Sequence, residues 1–407
     1  MLPGLNYTKR CRKFRLLDKV FINIDDKKNR HIFSENGIKN IKMMITCIKI
    51  VFLSKFYNYP VSRVIYEINI DKKLKRFLKI ENEVPSEAQV YEYLSRYSPN
   101  QYNNISNSFF KLFLKLNKNR KSDWIVDATP VACDINILKK YVSPEHLEKL
   151  DLDMGFSTTK GYYIGFKVTL VLEKDSLCPI SVIIHSGAKN DSKIFDEVLE
   201  ELSRRRLLKK RQVILFDKGY YSMENYINAI NKYNVVAVIF PRIYFTIEKL
   251  DARMSTSLDI FYDENTLEEN KELFLELTTI LYEKLENWKK LKPIRGLIED
   301  FFKVCKDAFG LGEFHAYTQS SMRRNIYLCI LLSTLVIQQG FDTKTKLQQL
   351  AEGRIDLEPI KSRKSKKSKK SKENNETNEN QQVGEKTDEQ TTLLTKKEVQ
   401  SELDLFT

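Results

Sequence analysis

No two of the six cysteines, Cys11, Cys47, Cys133, Cys178, Cys305 and Cys329, stand in a C-x-x-C pair. Their scatter excludes a zinc knuckle and a disulfide framework and points to a reducing compartment. No apolar h-region follows the basic start MLPGLNYTKRCRKF, so no secretory signal is expected there. No apolar run reaches the roughly 20 residues a membrane-spanning helix needs. The longest, Ile326–Ile337, is interrupted by Ser333 and Thr334 and predicts a buried core helix. There is no internal repeat, and apolar residues are almost absent from KSRKSKKSKKSKENNETNENQQVGEKTDEQ, so a disordered tail is expected over 351–407.

What the chain has in excess is positive charge. Its 407 residues, enough for more than one domain, carry a net +14. From Glu358 onward eleven Lys/Arg face ten Asp/Glu, so nearly all of the excess belongs to the part before the tail. That balance points to a polyanionic partner. Residues 1–120 read as a helical domain: IKNIKMMITCIKIVFLSKFY spaces apolar residues at three- and four-residue intervals, and Ser86 with Gln89 forms a capping-box start. Lys42, Lys49, Lys55, Arg63, Lys73, Lys75 and Arg76 are interleaved with the apolar positions, a pattern that suits either a phosphate-facing surface or an ordinary solvated helix face.

From Asp123 the texture changes. DWIVDATPVA, YYIGFKVTLVLE and PISVIIHSG read as three strands, followed by a helix from about Ser192 to Leu208, strand QVILFD, helix SMENYINAINKY and strand VVAVIF. The order β-β-β-α-β-α-β predicts a mixed five-stranded sheet flanked by helices. A polar stretch, about 241–292, reads as a mostly helical insertion. Asp127 and Asp217 each end a short apolar stretch, where a buried carboxylate is costly unless a metal or a partner compensates it. A third acid, Glu299, lies on a helix expected to begin near Ile294. At about 100° per residue, Arg295, Glu299 and Lys306 fall within roughly 40° of one another along the border of an apolar stripe, and Asp300 points away. Three carboxylates from two strands and a helix repel one another unless divalent cations hold them together.

An Asp on the first strand, an Asp closing the fourth in DKGYYS, and a Glu on a late helix together resemble an insertion-sequence DDE transposase with an RNase H-like catalytic core. The family's helix signature Y-(2)-R-(3)-E-(6)-K is matched at three of four positions by Arg295, Glu299 and Lys306, and its Tyr position holds Lys292, which can touch phosphate but offers no stacking ring. The likeness covers about 124–340. It implies a catalytic domain over 121–350 in which Asp127, Asp217 and Glu299 bind two Mg²⁺ or Mn²⁺ ions. It further implies cut-and-paste cleavage of double-stranded DNA at terminal inverted repeats, and strand transfer to target DNA. By the same likeness Arg295, Lys306, Lys292 and Lys160 contact DNA, and the protein works as a homodimer, away from membranes, in the cytoplasm or nucleoid of a prokaryotic-type cell. Two rivals share the scaffold: a catalytically silent DNA-binding derivative and a stand-alone nuclease.

Other residues carry weaker expectations. His185 reads as a hydrogen-bonded structural residue. Asp191 reads as the N-cap or a turn residue of the next helix and as a spare acid, Asp123 and Asp134 are loop acids, and Lys167 is either a phosphate contact or surface charge. Trp288 is expected to pack a helix rather than to stack on a base.

Overall fold

Helical periodicity at the start of the chain becomes seven helices among the described residues: α1 (Arg12–Asp25), α2 (Lys27–Glu35), α3 (Ile41–Tyr57), α4 (Val61–Ile70), α5 (Lys72–Phe77), α6 (Glu87–Ser95) and α7 (Pro99–Leu116). The capping box forms as read: Ser86 Oγ accepts from Gln89 N, and the Gln89 side chain accepts from Ser86 N, satisfying two amides at the start of α6. Lys49 does not belong to a phosphate-facing surface. It sits inside the apolar run of α3, 2% exposed, and its Nζ donates to Asp25 Oδ2 at 2.6 Å and to Leu78 O at 2.9 Å. Burial pulls its pKa down, and the bond to Asp25 opposes that pull.

This computed structural model describes residues 12–354 except Asp26, Asn82, 117–121, Asp151, 158–160, Ala188, 262–267 and 313–317. Lys160, the HAY of HAYTQSS and nearly all of the expected disordered tail therefore lie outside the described residues. The remaining elements are β1 (Trp124–Ala132), α8 (Ile135–Tyr141), α9 (Pro144–Glu148), β2 (Asp153–Ser157), β3 (Gly161–Glu173), β4 (Pro179–Ser186), α10 (Asp191–Arg204), β5 (Val213–Phe216), α11 (Met223–Tyr233), β6 (Val236–Ile239), α12 (Ile247–Phe261), α13 (Glu268–Glu286), α14 (Trp288–Lys303), α15 (Gln319–Ile337) and α16 (Lys344–Ala351).

The sheet has six strands where five were expected. Its path is β2-β3-β1-β5-β6, with β4 also paired to β3. The additional strand, β2, has the sequence DMGFS, with no β-branched residue to announce it. It forms because β3 is thirteen residues long and has room beside it for both β2 and β4. Three glycines let these chains meet. At Gly165, with φ +155°, a Cβ would stand 2.2 Å from Val131 O, and a Cβ at Gly155 would stand 2.3 Å from Gly187 O.

β1 and β5 are adjacent and parallel, with Val126 opposite Phe216, and β1 runs antiparallel to β3 along its whole length. The sheet separates two hydrophobic cores. On one face Ile125, Val131, Phe166, Val168 and Leu170 join α14, α15 and the N-terminal helices. On the other, Trp124, Val126 and β5 join α10, α11 and α13. The polar insertion thus contributes a buried stripe, Leu273, Phe274, Leu277, Leu281 and Leu285, packed against β6. The Ile326–Ile337 run is buried within α15, and no helix among the described residues is long and apolar enough to cross a membrane.

The Lys49–Asp25 pair makes a stability prediction. Lys49→Ala leaves Asp25 only the exposed Lys79 at 3.4 Å and leaves Leu78 O without its donor, and a loss of about 2–3 kcal/mol is expected in denaturant unfolding. The double variant Lys49→Met/Asp25→Leu recovers most of that loss, because the uncompensated charge is gone.

Candidate active site

β1 alternates its side chains, so Asp127 and Thr129 project on the same face as Ile125 and Val131, the face covered by α14. Asp127 lies in the middle of β1 rather than at the end of a strand. The strand continues through Pro130 because β5 pairs with it only as far as Val126, and a residue without an amide donor is tolerated where one neighbour has been lost. Asp217 follows the last residue of β5, one step beyond the Val126–Phe216 pair, and so comes level with Asp127. It precedes a 3₁₀ turn, Lys218–Tyr220, whose amides its side chain does not cap, so the carboxylate is available to other partners.

α14 starts six residues earlier than expected and runs through Pro293, with Trp288 packing on Phe240 at 5.9 Å between ring centroids. From it Arg295 reaches both aspartates as well as Glu299, one turn further along the same helix. The Arg295 guanidinium lies 3.0 Å from Asp127 Oδ2 and 3.5 Å from Asp217 Oδ1 through Nη2, and 2.7 Å from Glu299 Oε1 through Nη1. Side-chain exposure rises from 14% at Asp127 to 27% at Asp217 and 50% at Glu299. Burial pushes the Asp127 carboxyl up to about 7, against the pull of Arg295 and with a further push from Asp217. Burial also works against the charge of Arg295, but the carboxylates, Asp127 first, outweigh it and hold the guanidinium above its ordinary value.

The sequence pattern DDE_Tnp_1, described as "Transposase DDE domain", matches residues 118–335. The chain belongs to this DDE transposase family. Among curated proteins none matches the chain.

Elsewhere the transposase holds its expected residues unevenly. Lys306 donates to Thr129 Oγ1, two positions along β1 from Asp127, and it reaches there from a π-helical turn, Val304–Ala308, that continues α14. Lys292 is exposed on α14, and Lys160 is outside the described residues. Asp300 is the buried one of the adjacent acids, with Lys303 at 3.8 Å. Asn190, not Asp191, caps α10. Asp191 instead turns toward the site: Lys167 pairs with it at 2.6 Å, and a Cβ on Gly219 would stand 2.9 Å from its Oδ2. Lys167 is therefore more than plain surface charge. Asp123 pairs with Lys174 at 3.7 Å, and Asp134 accepts from Asn136 N. Thr129 and the Lys167–Asp191 pair were not foreseen. The period-2 alternation of β1 would have found Thr129, but only the β3–α10 packing reveals the pair.

The donor set around Asp127 is all oxygen, which suits Mg²⁺ or Mn²⁺ rather than zinc. A part-buried group of three carboxylates sharing one cation is short of positive charge, so these residues fit divalent ions chemically. As they stand, no three Asp, Glu, His or Cys side chains among the described residues form a ready cage, because the guanidinium lies between the acids.

His185, 7% exposed, meets Glu197 through Nδ1 at 3.2 Å, and burial pushes its imidazole down to about 4 against the pull of Glu197. An unfolded histidine takes up its proton near about pH 6.5, so from there down to about 4 the unfolded chain binds more protons and stability falls as pH drops. Asp127, raised to about 7 in the folded state, acts in the opposite sense across the whole of that range. The difference between wild type and His185→Asn isolates the imidazole: urea midpoints at pH 7, 5.5 and 4.5 should decline less steeply in the variant.

Proposed function

We propose that the transposase cuts phosphodiester bonds at the ends of its element and joins them to target DNA, with Asp127, Asp217 and Glu299 as the carboxylates that hold two Mg²⁺ or Mn²⁺ ions. The observation that carries this reading is the meeting of three acids, remote along the chain, on one guanidinium above the β1–β5 pair. Bound there, such ions supply Lewis acidity toward the phosphoryl oxygens and lower the pKa of an attacking water or 3′-hydroxyl. The rest of the work belongs to side chains. Asp127 and Asp217, fixed on neighbouring strands, form the rigid part of the site. Glu299, half exposed on α14, is the adjustable part. Lys306, anchored on Thr129, and Lys292 on the exposed side of α14 lie along the same helix and offer charge to the DNA backbone. Pairing two transposon ends in one reaction calls for two copies of the chain.

The DNA flanking the reading frame, which should contain the matched inverted repeats, is the substrate for the test. Wild type nicks it in Mn²⁺, and Asp127→Ala reduces nicking on the order of 10²-fold or more. Equal nicking by the two proteins contradicts the assignment. DNA binding by the wild type without any nicking in either metal points to the silent derivative instead.

A further inference from the structure

Arg295 touches each of the three acids at once, and it does so with only part of its fork. Nη2 faces the two aspartates and Nη1 faces Glu299, while the buried Nε finds no acceptor among the described residues. The carboxylates, and not a full set of hydrogen bonds, therefore fix where this side chain rests. The oxygens it engages are the ones that divalent ions require. One guanidinium against three acidic side chains also leaves the site short of positive charge, a deficit that divalent ions fill. The site has an open side. Arg295 is 18% exposed, a Cβ on the neighbouring Gly296 would touch nothing within 4 Å, and Glu299 on the same helix is half in solvent.

We propose that Arg295 is the displaceable occupant of the ion site, so that ion binding and release of Arg295 from the acids are one exchange. The inference rests on the reading of Asp127, Asp217 and Glu299 as ion ligands. In the metal-free protein the guanidinium offsets the repulsion among the carboxylates and preserves their arrangement. When the ions arrive it is freed beside Lys306, and its charge passes to the DNA backbone. The order matters: the cation that grips DNA becomes available only at a loaded site, which links substrate engagement to metal occupancy.

The exchange is tested without DNA and without activity, by Mn²⁺ titration of the full chain followed by electron paramagnetic resonance and calorimetry. Arg295→Gln, which removes the competing charge, should bind Mn²⁺ at least about tenfold more tightly than wild type. Its metal-free form should melt lower, and its gain in Tm on adding Mn²⁺ should be larger. Should Arg295→Gln fail to fold, Arg295→Lys keeps a charge but loses the fork, and should tighten Mn²⁺ binding about threefold or more. Unchanged or weaker Mn²⁺ binding in the folded Arg295 variant, with binding still lost in Asp127→Asn, overturns the exchange and leaves the ion-ligand reading standing. Mn²⁺ binding that Asp127→Asn does not diminish overturns both.

Discussion

The charge balance between Arg295 and three carboxylates is the constraint on which the arrangement of this site depends. Asp127 is mostly buried in a strand whose neighbours are apolar, a position where an ionised carboxylate needs a counter-charge. The backbone gives it only the amide of Ala128, at 2.8 Å. The rest comes from a helix 168 residues further along the chain. α14 must therefore lie across β1 with Arg295 pointing inward, and that placement carries Glu299 and, past the π turn, Lys306 with it. A helix turned by one residue would bring Gly296 to the acids and leave Asp127 without a counter-charge.

The sheet supplies the other half of the constraint. Because β1 and β5 are parallel and in contact, two aspartates ninety residues apart become neighbours. Apolar layers on both faces hold the pair in place, so the site has two rigid members and a third on a helix surface. Behind them Lys167 and Asp191 form a second ion pair close to the end of β5. Asp191 adds to the negative field at Asp127, behind burial and Asp217 in weight.

Much of this was legible in the chain. The acids stood out because carboxylates inside β-branched runs violate the pattern of a core, and the spacing of Arg295, Glu299 and Lys306 set all three along one line of a helix. The capping box at Ser86 and the burial of Ile326–Ile337 were equally plain. What the sequence hid was decided by tertiary neighbours. β2 has no strand-like composition and exists because β3 has an unpaired edge beside it. Lys49 looked like one more surface cation until Asp25, on another helix, reached it. Pro293 read as a boundary, with the helix expected from Ile294, yet it lies inside α14. Asp300 looked outward on a helical wheel and is buried, while Glu299 beside it is half exposed.

The central claim, that Asp127, Asp217 and Glu299 are the ligands of a divalent-ion centre, is tested most directly by anomalous X-ray diffraction from crystals grown with Mn²⁺. The account predicts anomalous density among these three carboxylates, with the Arg295 guanidinium turned away from Asp127. Manganese bound elsewhere, with Arg295 still seated on the acids at saturating Mn²⁺, would contradict it.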